Sequence, residues 1–217
     1  MSMPTDPRRI VADGYDAAAD DYARWLVTGV VDTGRPKYLA HFCSRLPEGA
    51  SVLELGCGGG GPTTAELARR FALTGVDLSS RQITLARERL PTATFVHADM
   101  TRFETPPSSV DGVAAFYSLI HLPYGELPAM FARIARWLRP GGVFVASLGA
   151  RAGGEHVERE WLGGAPMYWS GYSPEDNVRF LEAAGFAVVE SGVETNIEDG
   201  EATPVFWVIA RTPPLHG

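Results

Sequence analysis

The sequence predicts an α/β fold in which a mostly parallel β-sheet is covered by helices on both faces. From about residue 51 onward, short apolar runs of strand length alternate with amphipathic segments. Strands that are apolar throughout are typical of parallel sheets buried on both faces. A run of glycines directly after the first strand marks a sharp strand-to-helix turn, as such folds require.

Seven strands are predicted at the apolar runs Ser51–Glu54, Ala72–Val76, Ala93–Val96, Val110–Phe116, Gly142–Leu148, Phe186–Val193 and Val205–Ala210. Two N-terminal helices are expected before them, at roughly Pro7–Val27 and Thr33–Arg45, and four more between them, at Thr63–Arg70, Ser79–Leu90, Leu127–Leu138 and Ser173–Ala184. The last helix has well-marked ends, because Ser173 is a good N-cap before Pro174 and Gly185 suits a C-cap.

The final two strands have no helix between them. About ten residues, Glu194 to Pro204, are predicted to form a loop there. A parallel crossover usually needs a helix-length connection, so these two strands should pair antiparallel.

Composition limits the classes of function. The 217 residues carry a net charge of −7 and one lysine, Lys37, which disfavours a nucleic-acid partner. No apolar run approaches the ~20 residues of a membrane span, and no secretory signal is recognisable at the N-terminus. Two cysteines, Cys43 and Cys57, form neither a disulfide framework nor a metal motif, so a cytoplasmic protein without a metal is expected.

The glycine-rich turn predicts a site for an anionic or nucleotide-like group. Gly56, Gly58 and Gly61 satisfy the spacing G-x-G-x-x-G, and Asp77 follows about 20 residues later, at the end of the next strand. The helix that begins behind the glycines offers free N–H groups. These features alone fit a nicotinamide dinucleotide and S-adenosylmethionine equally well.

Three further features favour S-adenosylmethionine. Glu54 stands two residues before the first glycine, where it would attract the ammonium of a methionine moiety and repel a pyrophosphate. Asp99 follows the third strand, where a carboxylate could accept from an adenine amino group. The chain also lacks the Tyr-x-x-x-Lys pair that short-chain reductases use as a proton relay.

Four segments resemble, in order and spacing, the motifs of the class I, Rossmann-like S-adenosylmethionine-dependent methyltransferases of small molecules: Glu54-Leu-Gly-Cys-Gly, Val76-Asp77-Leu78-Ser79, Ala98-Asp99-Met100 and Leu138-Arg139-Pro140-Gly141-Gly142. The resemblance implies a three-layer sandwich around a seven-stranded sheet in the order 3-2-1-4-5-7-6. Strand 7 would run antiparallel, and the two N-terminal helices would be additions to that core.

The same resemblance assigns roles around the cofactor. Glu54, Gly56 and Gly58 would lie at the methionine portion, Asp77 would accept from the ribose hydroxyls, and Leu78 would pack on the adenine. Asp99 and the backbone of Met100 would hydrogen-bond the adenine. The segment Tyr15 to Tyr22 is similar to the Tyr-Asp-x-x-Ala-x-x-Tyr segment of small-molecule methyltransferases, in which this helix closes over the cofactor. Tyr22 and Tyr117 complete the predicted cofactor set.

Candidate catalytic residues are His121, Tyr15 and Tyr117. His121 follows the fourth strand, at the sheet edge where open α/β folds bind ligands, and imidazole titrates near neutral pH. It would therefore act as a general base, or else serve only to start a helix and pack; the sequence leaves both open. Tyr15 and Tyr117 are candidates for orienting the acceptor.

The segment 151–172 is rich in glycine and aromatic residues, and two interpretations of it remain open. Its large side chains would either line a pocket or lid for the methyl acceptor, or fill a small core beneath a long connection. The candidate acceptor residues are Trp161, Met167, Tyr168, Trp169 and Tyr172.

The sequence thus predicts one domain, 1–217, that transfers a methyl group to an O-, N- or S-nucleophile of a small molecule. Within it, 1–46 would be a helical lid, 47–150 the cofactor-binding core, 151–172 the acceptor side, and 173–217 the final helix and hairpin. A monomer or homodimer is expected, without nucleic-acid or membrane partners. The alternatives are a non-catalytic subunit with this fold and, less favoured, a nucleotide-dependent oxidoreductase.

Overall fold

The computed structural model describes residues 6–151 and 153–214, so residues 1–5, 152 and 215–217 of the predicted segments lie outside it. Its strands are β1 (Val30–Val31), β2 (Ser51–Leu55), β3 (Ala72–Asp77), β4 (Thr94–His97), β5 (Val110–Ala115), β6 (Leu138–Gly149), β7 (Gly154–Glu158), β8 (Met167–Gly171), β9 (Ala187–Glu198) and β10 (Glu201–Arg211). Its α-helices are α1 (Pro7–Ala17), α2 (Ala19–Thr28), α3 (Gly34–Cys43), α4 (Pro62–Arg70), α5 (Ser80–Arg89), α6 (Leu127–Trp137) and α7 (Pro174–Ala183).

Eight of the strands form the central sheet. Their order from one edge is β4-β3-β2-β5-β6-β10-β9-β1. The pairs from β4 to β6 are parallel, whereas β10 is antiparallel to both of its neighbours, β6 and β9. The predicted order 3-2-1-4-5-7-6 with a reversed strand 7 is therefore confirmed for seven strands. The two-residue strand β1 is an addition that the sequence did not predict.

Alternation along β10 explains why the sheet has a packed layer on each face. Val205, Trp207 and Ile209 are buried with side chains of α3 and α4, such as Tyr38 and Leu67. The intervening residues Phe206, Val208 and Ala210 are buried on the opposite face, with side chains of α6 and α7 such as Phe131 and Leu181. Because side chains alternate between the faces of a strand, this one apolar run supplies both cores. The predicted three-layer α/β sandwich is confirmed.

The N-terminal helices differ from the prediction. One helix was expected over residues 7–27, but it is divided at Ala18, whose φ of −96° and ψ of 12° leave the helical region. No proline or glycine marks the break. It lets α1 pack on α5 and β8 while α2 packs against β1 and the turn at 162–164, so tertiary contacts override local helix propensity here.

Two connections near the acceptor side, one predicted as a loop and one left without assigned secondary structure, are largely strand. The ten-residue loop expected between the last two strands is a two-residue turn at Asp199 and Gly200, and β9 and β10 pair along nearly their whole length. Both turn residues have positive φ, 49° and 87°, as tight hairpins with twisted strands require. In the segment 151–172, β7 and β8 form a separate antiparallel pair.

Candidate functional site

The glycine turn after β2 is forced by close packing. Gly56 has a φ of +74°, and a Cβ at this position would lie 2.3 Å from the Cβ of Ser118. Gly58 also has a positive φ, of 52°. A side chain at Gly56 would therefore be strained and would clash, which explains the glycine that the motif requires. The turn leads to α4, which begins at Pro62.

Asp77 closes this turn from the end of β3. Its Oδ2 accepts from the backbone N–H of Gly58 at 2.8 Å, and its Oδ1 accepts from that of Ser79 at 2.9 Å. Burial raises the pKa of Asp77, although these two N–H donors oppose the shift. Each carboxylate oxygen has two lone pairs, so a ligand hydroxyl can still donate to it.

Two buried polar atoms near the turn lack a hydrogen-bond partner among the described residues. One is Oε2 of Glu54, whose other oxygen accepts from Thr64 Oγ1 at 3.2 Å. Glu54 is 3% exposed, and burial raises its pKa to about 8. The other is Nε2 of Gln82, in the first turn of α5. Unpartnered buried atoms of this kind are costly unless a ligand or water engages them.

These elements surround a cavity that we term the inner cavity. It is lined by Arg8, Val11, Tyr15, Tyr22, Gly56, Gly58, Asp77, Leu78, Ser79, Gln82, Asp99, Met100, Phe116, Tyr117, Ser118, His121, Leu122 and Pro123. Of the nine residues predicted to bind the cofactor, eight lie on its wall, and Glu54 does not. The structure therefore brings together side chains from β3, the segment after β4 and the N-terminal helices.

Helix α1 is tethered across the inner cavity at both of its ends. Near the start, Arg8 pairs with Asp99 at 2.9 Å and with Glu126 at 2.5 Å. At the last turn, Asp16 accepts from the hydroxyl of Ser79, which is the N-cap of α5, and from neighbouring groups of α5. Sequence reasoning missed Arg8, because it pairs with Asp99 across 91 positions of the chain and no local pattern marks it.

Gln82 was also missed, although a signal for it exists. Ser79 and Gln82 have the spacing of a capping box, in which the glutamine side chain usually returns to the N-cap N–H. Here Asp77 already accepts from that N–H, so the Gln82 side chain is released to line the cavity. The strand-end carboxylate and the capping box together could have predicted it.

His121 is a neutral imidazole held between two partners. Its Nδ1 lies 2.8 Å from the carbonyl oxygen of Tyr168, and its Nε2 lies 2.9 Å from the hydroxyl of Tyr15. Since a carbonyl only accepts, Nδ1 carries the proton and Nε2 accepts from Tyr15. Burial lowers the pKa of His121 to about 4. Tyr15 and His121, two of the three candidate catalytic residues, are thus in direct contact, with the hydroxyl of Tyr15 donating to the imidazole.

A second, wider cavity of about 720 Å³, which we term the outer cavity, adjoins the first. Tyr15, Tyr22 and Tyr117 line both cavities. Of the predicted acceptor residues, Trp161 and Trp169 line the outer cavity. The geometry therefore divides the segment 151–172, because only part of it faces a cavity.

Three predicted acceptor residues line neither cavity. Met167 and Tyr168 are buried against Ile10 and Val11 of α1, and Tyr172 lies in the main core. These three side chains therefore pack inside the protein, and the structure gives them no surface on which an acceptor could bind.

Tyr117 is fixed where the two cavities meet. Its backbone has a φ of +54°, unusual for a residue with a side chain. Its hydroxyl donates to Asp32 at 2.7 Å and accepts from Asn196 at 2.9 Å, while the guanidinium of Arg35 lies 4.5 Å from its ring centre. Trp25 and Asn196, also on the outer cavity, were not predicted, because they come from elements far apart in sequence.

The described residues show neither a metal-binding cluster nor a membrane-spanning helix. No group of three or more His, Cys, Asp or Glu side chains in residues 6–151 and 153–214 is arranged to hold a metal ion. None of the helices in that part of the chain has the length and apolarity needed to cross a bilayer.

Comparison with known proteins places this geometry in context. Residues 52–142 match a family model described as a methyltransferase domain. The chain is 33% identical over 129 residues to phosphoethanolamine N-methyltransferase 3 of Arabidopsis thaliana, covering 56% of this chain and 26% of that protein. It is 25% identical over 240 residues to 2-methyl-6-phytyl-1,4-hydroquinone methyltransferase of Synechocystis sp., covering 94% of this chain and 73% of that protein.

Among solved structures, the chain resembles 1,6-didemethyltoxoflavin-N1-methyltransferase of Burkholderia thailandensis with bound 1,6-didemethyltoxoflavin and S-adenosylhomocysteine. The TM-score is 0.72 at 20% identity, covering 98% of this chain and 93% of that one. The fold that the motifs implied is confirmed, and the stretch that carries those motifs, residues 52–142, is the part of the chain that matches the methyltransferase-domain model. The chain spans about a quarter of the length of the Arabidopsis protein.

Proposed function

We propose that this chain transfers a methyl group from S-adenosylmethionine to a small molecule, with S-adenosylhomocysteine as the second product. The observation that carries the proposal is the junction of two cavities at Tyr15, Tyr22 and Tyr117. The inner cavity has the predicted cofactor residues on its wall, and the outer cavity is open to a second molecule. In-line displacement requires the two reactants to meet along one axis, and a shared wall of this kind allows it.

The residues of the inner cavity fit S-adenosylmethionine. The ligand would supply a sulfonium whose methyl carbon is open to attack. Asp77 would accept from the ribose hydroxyls and Asp99 from the adenine amino group, with Leu78 and Met100 beside the adenine. Glu54 does not line the cavity, so it would engage the ammonium of the methionine end through water; its unpartnered buried oxygen supports this, because a buried acceptor without a donor suits a cationic donor.

The protein's contribution to the reaction is positioning rather than strong base catalysis. His121, with its pKa lowered to about 4, has little tendency to hold a proton at neutral pH. It is better suited to fixing the hydroxyl of Tyr15, whose pKa burial raises well above its ordinary value. Tyr15 and Tyr117, both held by hydrogen bonds, would then orient the acceptor beside the methyl group.

The division of the chain into functional parts belongs to the same proposal. Residues 1–46 would act as a lid, since the Arg8–Asp99 and Asp16–Ser79 contacts join α1 to the cofactor wall. Residues 47–150 would hold the cofactor, and the part of 151–172 around Trp161 and Trp169 would contact the acceptor. A monomer or homodimer in the cytoplasm, without a nucleic-acid partner, remains the expectation.

Two measurements test the proposal. Calorimetry with S-adenosylhomocysteine should give binding at micromolar concentrations, and no binding at millimolar ligand would overturn it. Transfer of labelled methyl from S-adenosylmethionine to a panel of amines, phenols, thiols and carboxylic acids should then identify an acceptor. Ligand binding without transfer to any acceptor would favour the non-catalytic subunit, and tighter binding of a nicotinamide dinucleotide would favour an oxidoreductase.

A further inference from the structure

We propose that the outer cavity selects an acceptor whose nitrogen is positively charged or becomes so on methylation: an amine or a nitrogen heteroaromatic base, not a carboxylate or phenolate. This inference rests on the proposed methyl transfer and deepens it by naming the acceptor class. It is carried by the aromatic walls, the charge balance and an unpartnered oxygen of the outer cavity.

The walls of the outer cavity are unusually aromatic. Tyr22 and Trp25 are stacked with ring centres 6.1 Å apart, and Trp161 lies 5.9 Å from Tyr22 and 6.0 Å from Trp169. With Tyr117, these rings form several faces of one space. The face of an aromatic ring carries negative potential, so several faces around one space attract a cationic nitrogen.

The charged groups around the outer cavity also favour a cationic acceptor. Five carboxylates lie on its lining: Glu158, Glu160, Glu198, Asp199 and Glu201. Most of them are exposed, so they raise the local concentration of cations more than they fix one ligand.

One arginine lines the same cavity, and its charge is already neutralised. Arg35 pairs with Asp32 through Nε at 3.0 Å and lies over the ring of Tyr117. No other arginine or lysine lines the outer cavity within the described residues. An anionic acceptor would therefore meet five like charges without an unpaired arginine or lysine among the described residues of the lining.

Asn196 adds an oriented acceptor atom. The residue is fully buried on the cavity lining, and its amide nitrogen donates to Tyr117 and to Glu198 at 3.1 Å. Its Oδ1 has no hydrogen-bond partner among the described residues. This oxygen has almost no solvent-accessible surface, so a ligand N–H would reach it only after the Asn196 side chain moves. A carboxylate or phenolate oxygen would have no proton to offer it in any position.

The aromatic and acidic lining would also stabilise the charge that develops during methyl transfer. An amine that binds as the cation first gives one proton to water, which frees its lone pair. The lone pair of the neutral acceptor nitrogen then forms the new N–C bond, and the C–S bond breaks with its electron pair remaining on sulfur. Positive charge thus moves from sulfur to the acceptor nitrogen, and a primary or secondary amine then loses a proton to water at the open mouth. Aromatic faces and carboxylates stabilise that charge as it develops, which lowers the barrier.

The inference is tested with three small probes of similar shape that cannot be methylated at nitrogen: phenyltrimethylammonium, its uncharged isostere tert-butylbenzene, and benzenesulfonate. Binding to the full chain is followed by tryptophan fluorescence, with and without S-adenosylhomocysteine. Phenyltrimethylammonium should bind at least about tenfold more tightly than either other probe. Equal or tighter binding of benzenesulfonate would overturn the inference.

Matched variants assign the preference to this cavity. Trp161→Leu should reduce the preference for the cation severalfold, and the triple variant Glu158→Gln, Glu160→Gln, Glu201→Gln should reduce its dependence on salt. The control is the triple variant Glu88→Gln, Glu175→Gln, Glu182→Gln, which changes net charge equally at exposed sites that do not line the cavity. Thermal melting confirms that each variant is folded.

Failure of this inference is distinguishable from failure of the proposed function. Absence of S-adenosylhomocysteine binding would refute methyl transfer whatever the probes do. Two results would refute only the acceptor assignment. In the first, S-adenosylhomocysteine binds but phenyltrimethylammonium binds no more tightly than the other probes. In the second, the control variant weakens the preference for the cation as much as the triple variant at Glu158, Glu160 and Glu201 does.

Discussion

Binding of S-adenosylhomocysteine at pH 7 is expected to release close to one proton, and the proton should come from Glu54. Burial raises the pKa of this carboxyl to about 8, so about nine-tenths of the free protein should carry it protonated at pH 7. A ligand ammonium near Oε2 stabilises the carboxylate and returns the pKa toward its ordinary value. The proton must then leave when the ligand binds.

The magnitude follows from linkage. About 0.8 to 0.9 proton should be released at pH 7 and about 0.1 at pH 9, where the carboxyl is already ionised. Because binding releases a proton, affinity should increase nearly tenfold for each unit by which pH rises toward about 8. Above pH 8 the affinity should level off. The assay is titration calorimetry in buffers of different ionisation enthalpy, since the slope of observed enthalpy against ionisation enthalpy gives the number of protons.

Glu54→Gln is the control, because it keeps the shape and the contact with Thr64 but removes the titrating group. Its slope should be close to zero at pH 7. A wild-type slope below about 0.2, or an equal slope in the variant, would refute the assignment of the ammonium to Glu54.

Four further predictions concern the same cavity. Asp77→Asn should weaken S-adenosylhomocysteine binding by about 1.5 to 3 kcal/mol with little change in melting temperature, and an unchanged affinity in calorimetry would remove the ribose role. His121→Gln should flatten the pH dependence of the free energy of unfolding, measured by denaturant titration. In the wild type the pKa of His121 is about 4 in the folded state, below its value in the unfolded chain, so stability is lost as pH falls from about 6.5 to about 4. The loss between pH 7 and 5 should be roughly 2 kcal/mol. In the same variant and in Tyr15→Phe, kcat should stay within about tenfold of wild type, whereas a fall of about 10²–10⁴-fold with loss of the acidic limb of the pH–rate profile would identify His121 as a general base. Gly56→Ala should lower the free energy of unfolding by several kcal/mol, because the new Cβ would clash with the Cβ of Ser118. A melting temperature equal to that of the wild type would contradict this packing argument.

The order of the sheet was predictable because it depends on patterns that are local in sequence. Each strand is an apolar run, and the glycines at 56 and 58 mark the sharp turn at the end of β2. The reversed last strand followed from the missing helix between the final runs, even though the predicted loop was too long. The two-residue turn could have been suspected from Asp199 and Gly200, a pair typical of tight hairpins.

The parts that sequence reasoning missed depend on contacts between distant segments. Nothing around Ala18 signals the end of a helix, because the break serves contacts of α1 and α2 with different neighbours. Likewise, the pairing of Arg8 with Asp99 and the position of Asn196 beside Tyr117 arise only after folding. The composition of 151–172 indicated burial or binding. Only the folded structure shows that Trp161 and Trp169 line the outer cavity, whereas the other large side chains predicted to bind the acceptor do not.

The terminal hairpin has a consequence for how this scaffold can diversify. Asn196, Glu198, Asp199 and Glu201 lie at its tip and line the outer cavity, but none of them lines the inner cavity. If the outer cavity binds the acceptor as proposed, mutations at the tip should change the acceptor preference and leave the wall of the inner cavity intact. The hairpin tip can therefore be varied independently of the inner cavity. A library of variants restricted to these tip positions should give altered acceptor preference without a parallel loss of affinity for S-adenosylmethionine.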